Sequence, residues 1–325
     1  MLWLGCATPT EHERYLGDRD FRRAAMAAEL VNPANGYSRM RLAHYGTDWD
    51  DLSIWNPTAL DLDISPDDPE ALRRLGEQAF STYPSQLWDG PGDHLVHVQT
   101  AAGERVAATC ATCHENAGTP GLANATIDLG WGPGRLDVTT LDGSEPVKIP
   151  DLRPVGFVEY LHADATVRQG DLIALAIRIE TLIITSHHET VRPPPIVALA
   201  LATYVWSLAP GPVAPPSSPA QQHGAALFGE HCAGCHAPPN FTGAPVALAR
   251  VGTDPTVGLS LDRGTGMYRV PSLRGVRDRA LLLHDGSVHS LSELLDPART
   301  SPGHRFGNTL SPADRDDLAA YLTTL

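Results

Sequence analysis

At 325 residues and 42% hydrophobic content, the chain has room for two domains of ordinary size plus an extension. Its 38 acidic residues against 24 Lys and Arg give a formal charge of −14, which argues against nucleic acid and anionic membrane surfaces and favours a basic or neutral partner. Aromatic content of only 6%, beside 29 Gly and 28 Pro, predicts long ordered loops around modest cores.

In chain order, Leu2-Trp3-Leu4-Gly5-Cys6 resembles the end of a bacterial lipoprotein signal and predicts a lipid anchor at Cys6, with an unpaired thiol as the alternative. Helix formers run from Asp20 to Val31 and stop at Asn32-Pro33. Asp68-Pro69-Glu70 predicts a second helix, capped by Asp68, that runs to about Phe80. His94 and His97 read as polar loop histidines. Residues 1–98 therefore form a helical and irregular extension, expected to pack on the domain that begins at residue 99.

Cys110-Ala-Thr-Cys113-His114 and Cys232-Ala-Gly-Cys235-His236 each carry the spacing for covalent c-type haem, two thiols for the porphyrin edge and an adjacent histidine for the iron. A four-thiolate zinc site or a dithiol redox motif uses the same cysteine pairs, but neither needs a histidine after the second cysteine. Two covalently bound haems are expected, with attachment outside the cytoplasmic membrane, in the periplasm or at the cell surface.

The chain also repeats itself around these motifs. Lys148-Ile149-Pro150 matches Arg269-Val270-Pro271, at 36 and 35 residues from His114 and His236 to the proline. Leu161-His162 matches Leu283-His284, and Tyr204 to Leu208 matches Tyr321 to Leu325. Gly103 is aligned with Gly224, each expected to open a short helix before its cysteine pair. This repeat predicts a mainly α fold, with two tandem haem domains at 99–208 and 220–325 and a Pro-rich linker at 209–219. The apolar run Pro195 to Leu208 is too short to span a membrane, and Leu172 to Ile184 is interrupted by Arg178 and Glu180. Both read as buried helices.

The ligand opposite each motif histidine decides what a haem can do. His187 and His304 each lie 17 residues before the tyrosine of the last repeat helix, Tyr204 and Tyr321, which makes them the candidate second ligands. His188 competes with His187, and Met267 with His304. His162 and His284 suit turns that fix a loop or hydrogen-bond haem propionates. Arg153 and Arg274 suit charge-assisted bonds to the same propionates. Trp131 reads as a buried loop anchor or an electron bridge.

Tyr268-Arg-Val-Pro-Ser-Leu-Arg-Gly-Val and Leu283-His-Asp-Gly-Ser-Val-His-Ser-Leu-Ser-Glu-Leu-Leu resemble the di-haem cytochrome c peroxidase and MauG superfamily. The resemblance covers about residues 99–325 and implies two cytochrome c-like domains, haems facing a shared interface, and electron flow from the C-terminal haem to the N-terminal one. Gly303-His304-Arg-Phe-Gly is similar to the branch containing rubber oxygenases, which implies two histidines on the second haem. The peroxidases of this superfamily carry a Met where this chain has Ser301-Pro302-Gly303-His304, and a Trp-Asp-Gly-Arg turn where it has Leu161-His162-Ala163-Asp164-Ala165. Two functions are carried forward. One is electron transfer through both haems to a redox partner protein or small-molecule acceptor. The other is a peroxidase-type enzyme in which Glu180 or His188 moves the proton. A haem-based sensor or docking lipoprotein using residues 7–98 is a third, weaker reading.

Overall fold

A computed structural model describes residues 53–325 except 59, 67, 137–145, 170–171, 187–190 and 261–263. Cys6 and the helix expected at 20–31 lie outside the described residues. Eight α-helices carry the described fold, joined by loops that pair into several two-stranded ladders and one three-stranded sheet.

Helix α1 (Pro69–Thr82) begins where its sequence dictates. The Asp68 carboxylate accepts from the N–H groups of Glu70 and Ala71, and Pro69 occupies the first turn, where its missing N–H costs nothing. Leu72, Leu75, Gly76, Ala79 and Phe80 recur at helical spacing and are buried. That face lies on α4 (Pro195–Ser207), an almost wholly apolar helix. The two approach so closely at Gly76 that a Cβ there would sit 2.0 Å from the Ala200 carbonyl oxygen and 2.7 Å from Tyr204 Cβ. Phe80 meets Tyr204 edge-on at 5.3 Å.

The C-terminal half builds the same crossing from α5 (Pro219–His231) and α8 (Pro312–Leu322). A Cβ on Gly224 would lie 2.0 Å from the Asp317 carbonyl oxygen and 2.8 Å from Tyr321 Cβ, and Phe228 lies 5.4 Å from Tyr321. The counterpart of Gly224 is therefore Gly76, not Gly103. Gly103 opens no helix; with φ +108° it turns the tip between the strands Leu95–Thr100 and Gly103–Ala108 of the three-stranded sheet. This sheet is inserted between α1 and Cys110, so that 34 residues separate Gly76 from Cys110 but only 8 separate Gly224 from Cys232. Repeat spacing alone does not reveal a helix displaced in this way.

The apolar core falls into two clusters, one running from Leu60 to Val205 and including α1, α4 and α3 (Leu172–Ser186), the other from Leu227 to Leu325. The Pro-rich segment between them is ordered against the second cluster. Ala214 N–H donates to Thr324 O, Arg274 Nη2 donates to the Gly211 carbonyl, and Pro219 starts α5 behind a Ser218–Gln221 capping box.

On the outer face of the second helix pair, His223 Nδ1 lies 2.9 Å from an Asp317 carboxylate oxygen. That hydrogen bond, with the charge of Asp314, raises the folded-state pKa of His223. A raised histidine pKa contributes stability below its unfolded value near 6.5, and the contribution is lost as pH rises through the folded value. His223→Ala is accordingly expected to lower the melting temperature at about pH 5.5 and to leave it nearly unchanged at about pH 8.5, as differential scanning fluorimetry at the two pH values would show.

The halves meet along a seam of buried ion pairs. Asp151, 3% exposed, is bound by Arg153 at 2.9 Å and by Arg279 at 3.1 Å, and Arg153 also reaches Asp278 at 2.7 Å. Burial acts to raise the Asp151 pKa, but the two guanidinium groups hold it below the usual carboxylate range.

Candidate haem sites

The second motif comes directly after α5. Cys232 caps the helix, its N–H donating to Phe228 O, and the next turn closes through His236 N–H to Cys232 O at 2.9 Å. The His236 ring is 8% exposed and its Nδ1 donates to the Phe241 carbonyl at 3.2 Å, which leaves Nε2 as the free base. Burial pushes its pKa down to about 4, so the imidazole is neutral, the form that binds a metal.

Facing it is His304. The two rings stand 6.4 Å apart between centroids, inclined at 60°. Metal–imidazole bonds of about 2 Å on each side, together with the two ring radii, fill close to that distance. The His304 Nδ1 is buried with no hydrogen-bond partner, and burial lowers the ring's pKa. Its loop is held tightly. Gly303 has φ +70°, and a Cβ there would lie 2.1 Å from Thr253 N; His304 itself has φ +45° and donates its N–H to Val251 O at 2.6 Å. Arg299 underpins the turn by donating to the carbonyls of Ser301, Gly303 and His304. Phe306 places its ring edge-on to His304 at 5.3 Å. These residues fit an iron porphyrin held between two histidines. Met267, the competing ligand, lies on a strand beside buried Tyr268 with its side chain 39% exposed.

The first motif forms a helix of its own, α2 (Cys110–His114), capped by Thr109 and Thr112. Both threonine hydroxyls donate to the His94 carbonyl at 3.0 Å, so His94 supports the motif through its backbone, at φ +57°. His97 faces solvent beside Glu104. His114 Nδ1 donates to the Pro150 carbonyl at 3.0 Å, and burial lowers its pKa to about 4. The Pro150 carbonyl thus orients His114, whereas the second motif uses the Phe241 carbonyl for His236. The four motif cysteines form no disulfide, and among the described residues no cluster of three or more metal-binding side chains exists, so the two cysteine pairs do not come together as a four-thiolate site. Burial raises Cys110 to about 12 and Cys113 to about 11, opposite to the low pKa of a reactive dithiol.

The expected second ligands of the first haem, His187 and His188, lie outside the described residues. Glu180 is fully buried on α3, with Oε1 accepting from Arg192 Nε at 3.0 Å. His162 is engaged at both ring nitrogens, Nδ1 at 2.5 Å from Thr166 Oγ1 and Nε2 accepting from Arg178 Nε at 2.7 Å. His284 stacks on Tyr268 at 4.3 Å, its Nε2 3.2 Å from the Tyr268 hydroxyl. Both histidines fix turns.

Arg153 and Arg274, expected at the haem propionates, are engaged by groups of the protein. Arg153 has its guanidinium filled by Asp151 and Asp278. Arg274 donates to the carbonyls of Pro210 and Gly211 and lies 4.6 Å above the Phe157 ring. Partners recruited across the seam are invisible to local sequence. Trp131 is 40% exposed, which removes its reading as a buried anchor.

Residues 221–325 match the cytochrome c family. This part of the chain is similar to cytochrome c. Over more of the chain, a structure of hydrazine synthase from Kuenenia stuttgartiensis superposes on 84% of this chain and 96% of its own, with 15% identity and a TM-score of 0.54. A MauG-like protein associated with microbial copper homeostasis covers 86% of this chain and 94% of its own, at 18% identity and a TM-score of 0.52. By sequence, no curated protein matches. The fold shared with the MauG-like protein agrees with the resemblance carried by the sequence, and the cytochrome c match over residues 221–325, with its Cys-x-x-Cys-His motif, supports a c-type haem and a haem-based redox function. No helix among the described residues is long and apolar enough to cross a membrane.

Proposed function

We propose that the chain is a di-haem c-type cytochrome of the periplasm or cell surface that passes electrons through both haems to an external partner. One haem is attached at Cys110 and Cys113 with His114 as ligand and His187 or His188 opposite; the other is attached at Cys232 and Cys235 between His236 and His304. The facing pair His236 and His304 carries the reading. Two strong ligands suit one-electron transfer, the chemistry that the haem supplies when bound. The protein holds each motif imidazole neutral and oriented through a backbone carbonyl. Phe306 packs against the distal ring. The formal charge of −14 suits a basic or neutral redox protein, or a small-molecule acceptor. Each haem belongs to its own cytochrome c-like unit, the first including α1 and running from about residue 60 to 208. The attachment chemistry supports the extracytoplasmic location, with Cys6 as a lipid anchor.

The test is a haem count by the pyridine haemochrome method. Two haems per chain are expected in the wild type and one in the double variant Cys110→Ser, Cys113→Ser; one haem in the wild type overturns the reading.

A second reading, peroxide reduction at the first haem, draws on the fully buried Glu180–Arg192 ion pair, which has no buried counterpart inside the second unit among the described residues. Peroxide consumption by the reduced protein that is abolished in Glu180→Gln would favour it, and no consumption would dismiss it.

A further inference from the structure

The seam carries a second pair of cations that the ion-pair network does not use. Lys148 and Arg269 occupy equivalent places in the repeat, each two residues before the aligned proline, of which Pro150 accepts from His114 through its carbonyl. Each reaches across to the opposite half in the same manner. Lys148 donates its N–H to His284 O at 2.9 Å and its Nζ to Leu281 O at 3.1 Å. Arg269 donates its N–H to Ala163 O at 2.8 Å and its Nη1 to Tyr160 O at 3.4 Å. The seam is therefore approximately two-fold, with one cation from each half on either side of the axis.

Neither cation has a carboxylate within ion-pair distance among the described residues, whereas Arg153 and Arg279 beside them are both satisfied by Asp151. Burial, and then the charge of Arg279, depress Lys148 to about 7 and Arg269 to about 10, with Asp151, Asp285 and Asp164 compensating only in part. Lys148 also lines a narrow cleft in the seam with Asp151, Arg279 and Leu281. A half-buried cation held by one or two carbonyls is an incomplete arrangement, because carbonyl dipoles do not replace a counter-charge. What is missing is an anion that occurs once per half.

Resting on the di-haem reading, we propose that Lys148 and Arg269 are the haem-carboxylate anchors, each binding a propionate at the seam, so that loading of the two haems supplies the charges that close one half on the other. In the holoprotein each anchor then sets the potential of one haem, because a cation near the iron favours the reduced state.

The experiment is a spectroelectrochemical titration of the holoprotein with Lys148→Met and Arg269→Met, and with Arg168→Met, an exposed arginine paired to Glu159, as control. Each seam variant is expected to lower the midpoint potential of one haem more than the control does, and the two variants to act on different haems. The charge-preserving Lys148→Arg and Arg269→Lys are expected to restore the potentials while shifting the propionate bending band in resonance Raman spectra. If the Met variants fail to take up haem, that Raman band decides alone. Potentials matching the control, or an unshifted band in both conservative variants, overturn the proposal. Fewer than two haems in the wild type would count against the di-haem reading itself, whereas two haems with insensitive potentials and bands count against this assignment alone.

Discussion

On the proposed ligation by His236 and His304, His304→Ala should open one coordination position of the second haem. In the reduced wild type, carbon monoxide would then find no free position opposite His236, where the His304 ring faces it across 6.4 Å. In the variant that position is vacated, and one equivalent of carbon monoxide should bind per chain, visible as a shift of the Soret band. The oxidised spectrum should gain a high-spin component for the same reason. The haem should remain attached, since Cys232, Cys235 and His236 are held by α5 and by the Phe241 carbonyl, independently of the His304 loop. Met267→Ala is the matched comparison. Its side chain is exposed, and its removal should leave the spectrum unchanged. A carbon monoxide adduct in Met267→Ala but not in His304→Ala would reverse the ligand assignment.

Gly76→Ala and Gly224→Ala should each be strongly destabilising. Both glycines let two helices touch backbone to backbone, and the added Cβ would fall 2.0 Å from a carbonyl oxygen, Ala200 in one half and Asp317 in the other. No rotamer change relieves such a contact, so the helices must separate. Overpacking costs about 1–3 kcal/mol, and the upper end applies where the neighbour is backbone. A drop of roughly 5–10 °C in the melting temperature is expected for each. Gly229→Ala supplies the contrast within α5, for its Cβ would meet nothing within 4 Å. That change should be neutral or stabilising by about 0.5–1 kcal/mol. Equal losses at Gly76 and Gly224, with none at Gly229, would also support the structural equivalence of the two helix crossings.

That equivalence marks where sequence reading succeeds and where it stops. The cysteine–histidine motifs, the two prolines behind them and His304 are legible because their chemistry fixes their spacing. The buried helices at Leu172–Ser186 and Pro195–Ser207 are legible because they are predominantly apolar. The start of α1 is legible from Asp68-Pro69, but its place in the repeat is not, because the three-stranded sheet at residues 86–108 separates it from its haem motif. The roles of Arg153 and Arg274 are hidden for a different reason. Asp278 and Pro210, which hold them, are 125 and 64 residues away in the chain and meet them only through folding. Lys148 and Arg269 lie between these cases, since their equivalence is written in the repeat but their lack of counter-charges shows only in three dimensions.

The central claim, two haems serving electron transfer rather than peroxide chemistry, is tested most directly by low-temperature EPR of the oxidised protein, repeated with one haem reduced and again with added hydrogen peroxide. The account predicts low-spin signals alone in both redox states, unaltered by peroxide. A high-spin signal that appears or persists in either state and vanishes with peroxide would contradict it and place catalysis at an open first haem.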